Sequence, residues 1–332
     1  MSLISVKNNI GIPKYKQIVY SVERAINSKE IVKGDSLPSI NSIKNRFSLS
    51  RDTVLAAYNE LKTRGIVESI PGKGYYVKSE NLEIIQKVFL LFDEFNSFKE
   101  DLYNSFLENL DDNIHVDIYF HHFNKKLFNS LIHDNIGNYN YYVIMPGNLQ
   151  DTNNVIKKLP HDKVYILDQV HDDLKQYPSI YQNFEKDIYE SLINALPHLK
   201  KYKKIVLLFP KEKQPLGMLK GFQKFRKEFD FPYEVINRLE DRDPKIGEAY
   251  LILDDRSLIV ILKKIRDMDL SIGRDIGIIS YNDTLLKEIV EGGITTISTD
   301  FKGMGKRLAQ MLMNNQKLTI ENSNGLILRK SL

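Results

Sequence analysis

Cysteine is absent from the 332 residues. The chain therefore forms no disulfide, offers no thiolate to a metal and has no cysteine nucleophile, which suits a reducing cytoplasm. Long apolar runs are missing too. None approaches the roughly 18 consecutive apolar residues that span a bilayer, so no membrane partner is expected. Residues 1–16 (MSLISVKNNIGIPKYK) lack the apolar segment and small-residue cleavage site of a secretory signal. Also absent are a Gly-x-Ser-x-Gly elbow, a P-loop and a Gly-x-Gly-x-x-Gly turn. His121 and His122 are adjacent, but neighbours on a strand face opposite ways, and there is no HExxH and no second histidine cluster. No metal, no cofactor and no catalytic residues are expected, and the chain does not read as an enzyme.

What is present is an ordinary soluble composition, 42% hydrophobic and 27% charged, in a length that suggests two or three packed units. The net charge of +4 is unevenly spread. Residues 1–78 hold 13 Lys and Arg against 6 Asp and Glu, while the remainder holds 34 against 37. The positive surplus sits in the first quarter of the chain, where a polyanion would neutralise it.

That quarter reads as three helices and a hairpin. Pro13 opens a helix at a position where a missing N–H costs nothing, and Ile18, Val22, Ala25 and Ile26 recur at helical spacing. Gly34-Asp35 breaks the chain. Ser39 caps a second helix carrying Ile40, Ile43 and Phe47, and Ser48-Leu49 makes a tight turn. Ser50 caps a third helix with Val54, Ala57, Tyr58 and Leu61 on one face, which Gly65 stops. Strands at residues 66–70 and 75–77 flank a glycine-rich tip, Pro71-Gly72-Lys73-Gly74. The pattern predicts a winged helix-turn-helix whose third helix enters the major groove. The expected DNA-binding residues are Ser39, Asn41, Ser50, Arg51 and Thr53 on the helices, with Lys73 and Gly74 at the wing tip. Arg51, just inside the third helix, is the best-placed reader.

The segment resembles the GntR family of bacterial regulators through Pro13, Tyr15, Gln17-Ile18, Gly34-Asp35, Leu37-Pro38-Ser39, Ser50-Arg51-Asp52-Thr53-Val54, Ala57-Tyr58, Leu61, Gly65 and Gly72-Lys73-Gly74-Tyr75-Tyr76-Val77. The resemblance implies operator binding. It departs where the family has Glu-Arg after Leu-Pro-Ser; here Ile40-Asn41 stand, and Asn41 offers a bidentate pair to adenine.

After a polar connection at residues 79–84 the pattern changes. Apolar strands at 87–93, 115–120, 141–145 and 163–167 alternate with helices at 98–110, 125–133 and 155–159. A second series begins near Tyr181, with helices at 184–199, 216–229 and 258–268 and strands at 204–209, 249–253 and 275–280. Such alternation predicts parallel sheets in two α/β lobes. The expected lobes are about 85–178 plus 299–317, and about 179–298 plus 318–332. Ligands of such sheets lie beyond the carboxyl ends of the strands. Asp93, Asn148, Asp168, Asp254 and Asn282 fall there, Gln182 and Asn183 are further partners for hydroxyls, and Phe95 or Phe120 offers a stacking face.

This part resembles the effector domain of LacI-family repressors, itself related to periplasmic sugar-binding proteins. The carriers are Ser271-Ile272-Gly273-Arg274-Asp275-Ile276-Gly277-Ile278-Ile279-Ser280-Tyr281-Asn282-Asp283, then Gly293-Ile294-Thr295-Thr296-Ile297, Gly305 and Gly221-Phe222. The family's ligand-gripping Arg before Gly-Phe is Met218 here, its Asn-Asp is Asp254-Asp255, and its first Asp of Asp-Asp is Asn282. Loss of that Arg disfavours a carboxylate or phosphate ligand at Met218.

The sequence thus predicts an α/β protein: an N-terminal winged helix-turn-helix at 1–78 and a two-lobed type I periplasmic-binding-protein-like domain at 85–332. The expected function is a cytoplasmic, homodimeric repressor of a carbohydrate-utilisation operon, controlled by a sugar or sugar derivative. The alternative is a constitutive DNA-binding regulator whose second domain serves dimerisation or protein recruitment.

Overall fold

The computed structural model describes residues 3–8, 11–80, 86–210, 214–239 and 242–332. Residues 81–84 of the expected connection, and 85, where the effector domain was expected to begin, lie outside them. The chain divides into two compact units, residues 1–91, 111–143 and 151–164, and residues 92–110, 144–150 and 165–332.

The first unit opens with α1 (Lys14–Asn27), α2 (Ile40–Phe47), α3 (Arg51–Thr63) and the hairpin β1 (Val67–Ile70) and β2 (Gly74–Val77). Pro13 precedes the first helical residue, and Ser39 and Ser50 accept N-cap hydrogen bonds, as their sequence positions require. The apolar positions read at helical spacing (Ile18, Val22, Ala25, Ile43, Val54, Tyr58 and Leu61) form one buried cluster with Val67 and Val77. The hairpin is antiparallel, with Val67 opposite Val77 and Ile70 opposite Gly74.

The chain continues through β3 (Gln86–Phe92), α4 (Ser97–Glu108), β4 (Ile114–Phe120), α5 (Lys125–Asp134), β5 (Tyr141–Ile144), α6 (Asn153–Ile156), β6 (Val164–Asp168) and β7 (Ser179–Tyr181). Next come α7 (Phe184–Leu199), β8 (Lys204–Leu208), α8 (Leu216–Phe229), β9 (Tyr233–Ile236), β10 (Glu248–Ile252), α9 (Asp255–Asp267), β11 (Ile276–Tyr281) and α10 (Leu285–Ile289). The last elements are β12 (Thr295–Thr299), α11 (Phe301–Met313), β13 (Thr319–Glu321) and β14 (Asn324–Ile327). Among the described residues, one sheet runs β13-β7-β6-β5-β3-β4 and the other β14-β12-β11-β10-β8-β9.

In the second sheet β9, β8, β10, β11 and β12 pair in parallel, and only β14 runs antiparallel, against β12. Burial explains the unbroken apolar strands. Ile205, Leu207, Ala249, Leu251, Ile279 and Tyr281 pack on one face with α7 and α8 residues such as Ile188, Leu192, Phe222 and Phe225. Val206, Leu208, Tyr250, Ile252, Ile276 and Ile278 pack on the other with Leu258, Ile261 and Ile265 of α9. Alternate residues point to opposite faces, and helices cover both, so no position on these strands is left for a polar side chain.

The structure adds elements absent from the sequence reading. The short strands β7, β9, β13 and β14, of three or four residues each, are too brief for their periodicity to stand out. It also corrects the placement of His121 and His122. β4 ends at Phe120, and His122 and Phe123 have φ of 49° and 56°, so the two histidines are not strand neighbours. His121 is fully buried, edge-on to Phe128.

Glycine at 221 is required by helix packing: a methyl group there would overlap the backbone carbonyl of Glu185 on α7. Gly221→Ala should therefore lower stability by about 1–3 kcal/mol, the usual penalty of overpacking, read from chemical denaturation monitored by circular dichroism.

Candidate nucleic-acid interface and ligand site

In the head, α2 ends on Ser48 in the left-handed region (φ 52°, ψ 47°), which turns the chain sharply into α3. Ser50 Oγ accepts from Thr53 N at 3.1 Å and lies 2.8 Å from Thr53 Oγ1. Ser39 Oγ accepts from Ser42 N at 3.1 Å. These three predicted contact residues therefore also hold the helix starts. Tyr58 donates to the Pro38 carbonyl at 2.5 Å, tying α3 to the approach to α2. Asn41, Arg51, Lys73 and Gly74 are exposed.

The head's cations separate into two groups. Lys16 pairs with Glu60 at 2.8 Å, and Arg64 with Glu23 at 2.5 Å, so both serve the fold. Lys44 and Arg46, in the last turn of α2, are exposed with Arg51 and Lys73. Lys44 and Arg46 were missed from sequence; their one signal was the charge surplus of the segment.

In the second unit, the carboxyl ends of the strands carry most of the expected ligand residues. Asp93 follows β3 and pairs with Lys99 of α4; both are buried, Lys99 to 4% exposure. Asp168 closes β6 with φ of 75°, and Asn282 follows β11 with φ of 59°. Asp and Asn tolerate this left-handed backbone better than other residues with a Cβ.

Gln182 links several segments. Its Nε2 donates to Asp168 Oδ1. Its Oε1 accepts from the Tyr281 hydroxyl at 3.2 Å and from Thr299 Oγ1 at 2.5 Å, and Asn324 Nδ2 donates to Thr299 Oγ1 at 3.1 Å. One amide thus joins the ends of β6, β11 and β12 and the start of β14. Asn183 caps α7 and donates to Glu321 at 3.0 Å, and Lys186 pairs with Glu321 at 2.7 Å.

Asp254 caps α9, accepting from Ser257 N at 2.9 Å. The buried ammonium of Lys287 donates to the carbonyls of Tyr281 (2.8 Å) and Asn282 (2.7 Å) and pairs with Asp255 at 2.7 Å. It clamps the carboxyl end of β11, and burial holds its pKa below the ordinary lysine value. Asn282 Oδ1 is enclosed and has no hydrogen-bond donor. Asp283 beside it is bound bidentately by Arg329, both contacts at 2.7 Å, and accepts from Thr296.

Among the other predicted ligand residues, Phe95 is 59% exposed and Asn148 is half-buried. Met218, 3% exposed, packs into the apolar cluster with Ile188, Phe209, Phe222 and Tyr281, so its side chain serves the core. Phe120 belongs to the first unit. Lys99, Asp187, Tyr281, Thr299, Lys287 and Arg329 were missed, because each acts through partners distant in sequence.

Residues 14–77 match the family described as bacterial regulatory proteins, gntR family, and residues 200–331 match the periplasmic binding protein-like domain. The first segment is a GntR-family helix-turn-helix domain; the second is a periplasmic-binding-protein-like domain. Over 76 residues the chain is 40% identical to the mannosyl-D-glycerate transport/metabolism system repressor MngR of Escherichia coli, covering 22% of this chain and 32% of that protein. Over 79 residues it is 32% identical to the HTH-type transcriptional repressor YtrA of Bacillus subtilis, covering 24% and 60%. The match spans 14 to 32% of the length of the curated relatives that head the comparison.

The remaining part has the fold of LacI-family regulators. The dimeric Lac repressor superposes with a TM-score of 0.60 at 16% identity, covering 74% of this chain and 98% of that one. A LacI family regulator from Arthrobacter sp. FB24 in complex with lactose gives 0.60 at 13%, covering 74% and 99%. These matches are to transcription regulators. Among the described residues no helix is long and apolar enough to cross a membrane.

Asp187, in the first turn of α7, is 7% exposed, and its Oδ2 meets no donor. Burial, with the charge of Glu321 adding to it, pushes its pKa up to about 7, against the opposing pull of Lys186. The folded chain therefore holds this proton more tightly than the unfolded chain. That contribution to stability is complete below the ordinary aspartate value of 3.8 and is lost as pH rises through about 7. Asp187→Asn should accordingly stabilise the protein by about 1–3 kcal/mol at pH 8, the scale of an unsatisfied buried polar group, with the gain fading toward pH 4. Urea unfolding at both pH values checks the sign.

Proposed function

We propose that this chain is a cytoplasmic, ligand-controlled transcription regulator that acts as a repressor of carbohydrate use. The observation that carries the reading is the joining of an exposed basic helix-turn-helix to a periplasmic-binding-protein-like domain. That domain's strand ends carry Asp168, Gln182, Asp254 and Asn282, and Asn282 Oδ1 is an enclosed acceptor without a donor. A sugar hydroxyl supplies the missing donor.

Arg51 and Asn41 approach base edges, Lys44, Arg46 and Lys73 meet phosphates, and the capped starts of α2 and α3 add backbone amides. Ligand control follows from a difference in ligand affinity between two arrangements of the chain, because only such a difference shifts an equilibrium. Two heads on a two-fold dimer read a palindrome. The dimeric state of the Lac repressor and the lactose in the Arthrobacter regulator, both similar in fold, support dimerisation and a sugar ligand. The two named repressors related to the head support repression.

Selection of DNA from a random pool by the full-length protein should yield a palindromic site. Arg51→Ala should weaken binding to that site by about 1–3 kcal/mol in a mobility-shift titration. A panel of neutral and substituted sugars should contain at least one that changes the affinity for the selected site. A panel in which no sugar changes it would favour the constitutive alternative.

A further inference from the structure

The strand ends of the second unit carry many charges, and their pairing is uneven. Each of the cations that meets them has an acidic partner: Lys99 with Asp93, Lys186 with Glu321 (2.7 Å), Lys287 with Asp255 (2.7 Å), Arg307 with Asp300 (3.6 Å) and Arg329 with Asp283 (2.7 Å). Two carboxylates remain. Among the described residues, Asp168 and Asp187 have no cation within ion-pair distance, though they are only 5% and 7% exposed. Asp168 accepts from the neutral amide of Gln182, and Asp187 Oδ2 accepts from nothing. The charges of both act on the hydroxyl of Tyr281, so they surround one point.

A buried charge persists at low cost only when an opposite charge or several donors face it. Burial raises the pKa of both groups, the mark of carboxylates whose compensation is incomplete. α8 offers no cation toward this point, since Met218, where the resembled family carries arginine, is packed into the apolar core.

We infer that Asp168 and Asp187, grouped about the Tyr281 hydroxyl, hold a protonated amine of the ligand, and that the effector is an amino sugar rather than a neutral or anionic one. An ammonium supplies three N–H donors and one positive charge, which suits two carboxylates that lack a cation. Asn282 and Asp254 remain as partners for the ligand's hydroxyls. A phosphate or carboxylate on the ligand would meet these two like charges with no uncommitted cation among the described residues to offset them. The Gln182–Tyr281 hydrogen bond opens to admit the amine. The inference rests on the sugar-responsive reading above.

Isothermal titration of the full-length protein with glucosamine, galactosamine and mannosamine, with glucose, galactose and mannose, with glucuronate and glucose 6-phosphate, and with putrescine, tests it. At least one amino sugar should bind about tenfold or more tighter than its neutral parent, the gain of a charge-assisted hydrogen bond. Asp168→Asn and Asp187→Asn, each checked for native circular dichroism, should remove that preference while leaving affinity for the neutral parent unchanged. Equal or tighter binding of a neutral or anionic sugar overturns the amine assignment and leaves the sugar reading standing. Binding of putrescine alone upholds the carboxylate pair as an ammonium site and overturns the sugar reading. No binding by any compound overturns both. The comparison of amine with parent is made on the unaltered protein, so it decides even if a variant fails to fold.

Discussion

A charge taken out of water must meet an opposite charge or enough donors, and the carboxyl ends of the parallel strands are arranged around that requirement. These strands are apolar along their length because helices cover both faces of the sheet, so polar chemistry is confined to their ends. There, Lys99 neutralises Asp93, Lys287 spans two strand-end carbonyls and Asp255, and Arg329 grips Asp283. Each pairing fixes a backbone turn, two of which hold a non-glycine residue in the left-handed region, Asp168 and Asn282. Asp168 and Asp187 are the buried carboxylates that this scheme leaves without a cation, and they mark where something from outside the chain is required.

The same requirement sorts the head. Lys16 and Arg64 are drawn to Glu60 and Glu23 and lock α1 to α3. The cations left exposed sit on α2, at the start of α3 and at the wing tip, the surfaces that a helix-turn-helix turns to DNA. Ser39 and Ser50 show how little separates structure from function here. Each caps a helix, and each stands at an amide-rich helix start where a phosphate binds.

Much of this was legible in the chain before any coordinates. The three head helices follow from Pro13, Ser39 and Ser50 and from apolar residues at helical spacing; α7 and α8 begin and end where the pattern places them. The strand-end positions of Asp93, Asp168 and Asn282 were also visible, because topology alone locates the binding edge of a parallel sheet. What each of those residues does was not. Asp93 is matched by Lys99 six positions on, a separation with no distinctive period. Met218, read as a ligand position, packs in the core because α8 turns that face toward Phe222 and Tyr281. The briefest strands passed unnoticed, since three or four residues carry too few alternations to register.

Local chemistry is written in neighbouring residues. Caps, turns, apolar periodicity, the charge surplus of the first 78 residues and the absence of cysteine all follow from sequence by itself, and they determined the helix-turn-helix, the parallel α/β class and the exclusion of disulfide and thiolate chemistry. Long-range pairing is another matter. That Gln182 joins Asp168, Tyr281 and Thr299, that Lys287 closes on the end of β11, and that Asp187 is buried without a cation depend on residues up to 117 positions apart meeting in space. Only the tertiary structure decides which charges are compensated, because compensation depends on distance and burial, and neither is a property of sequence neighbours.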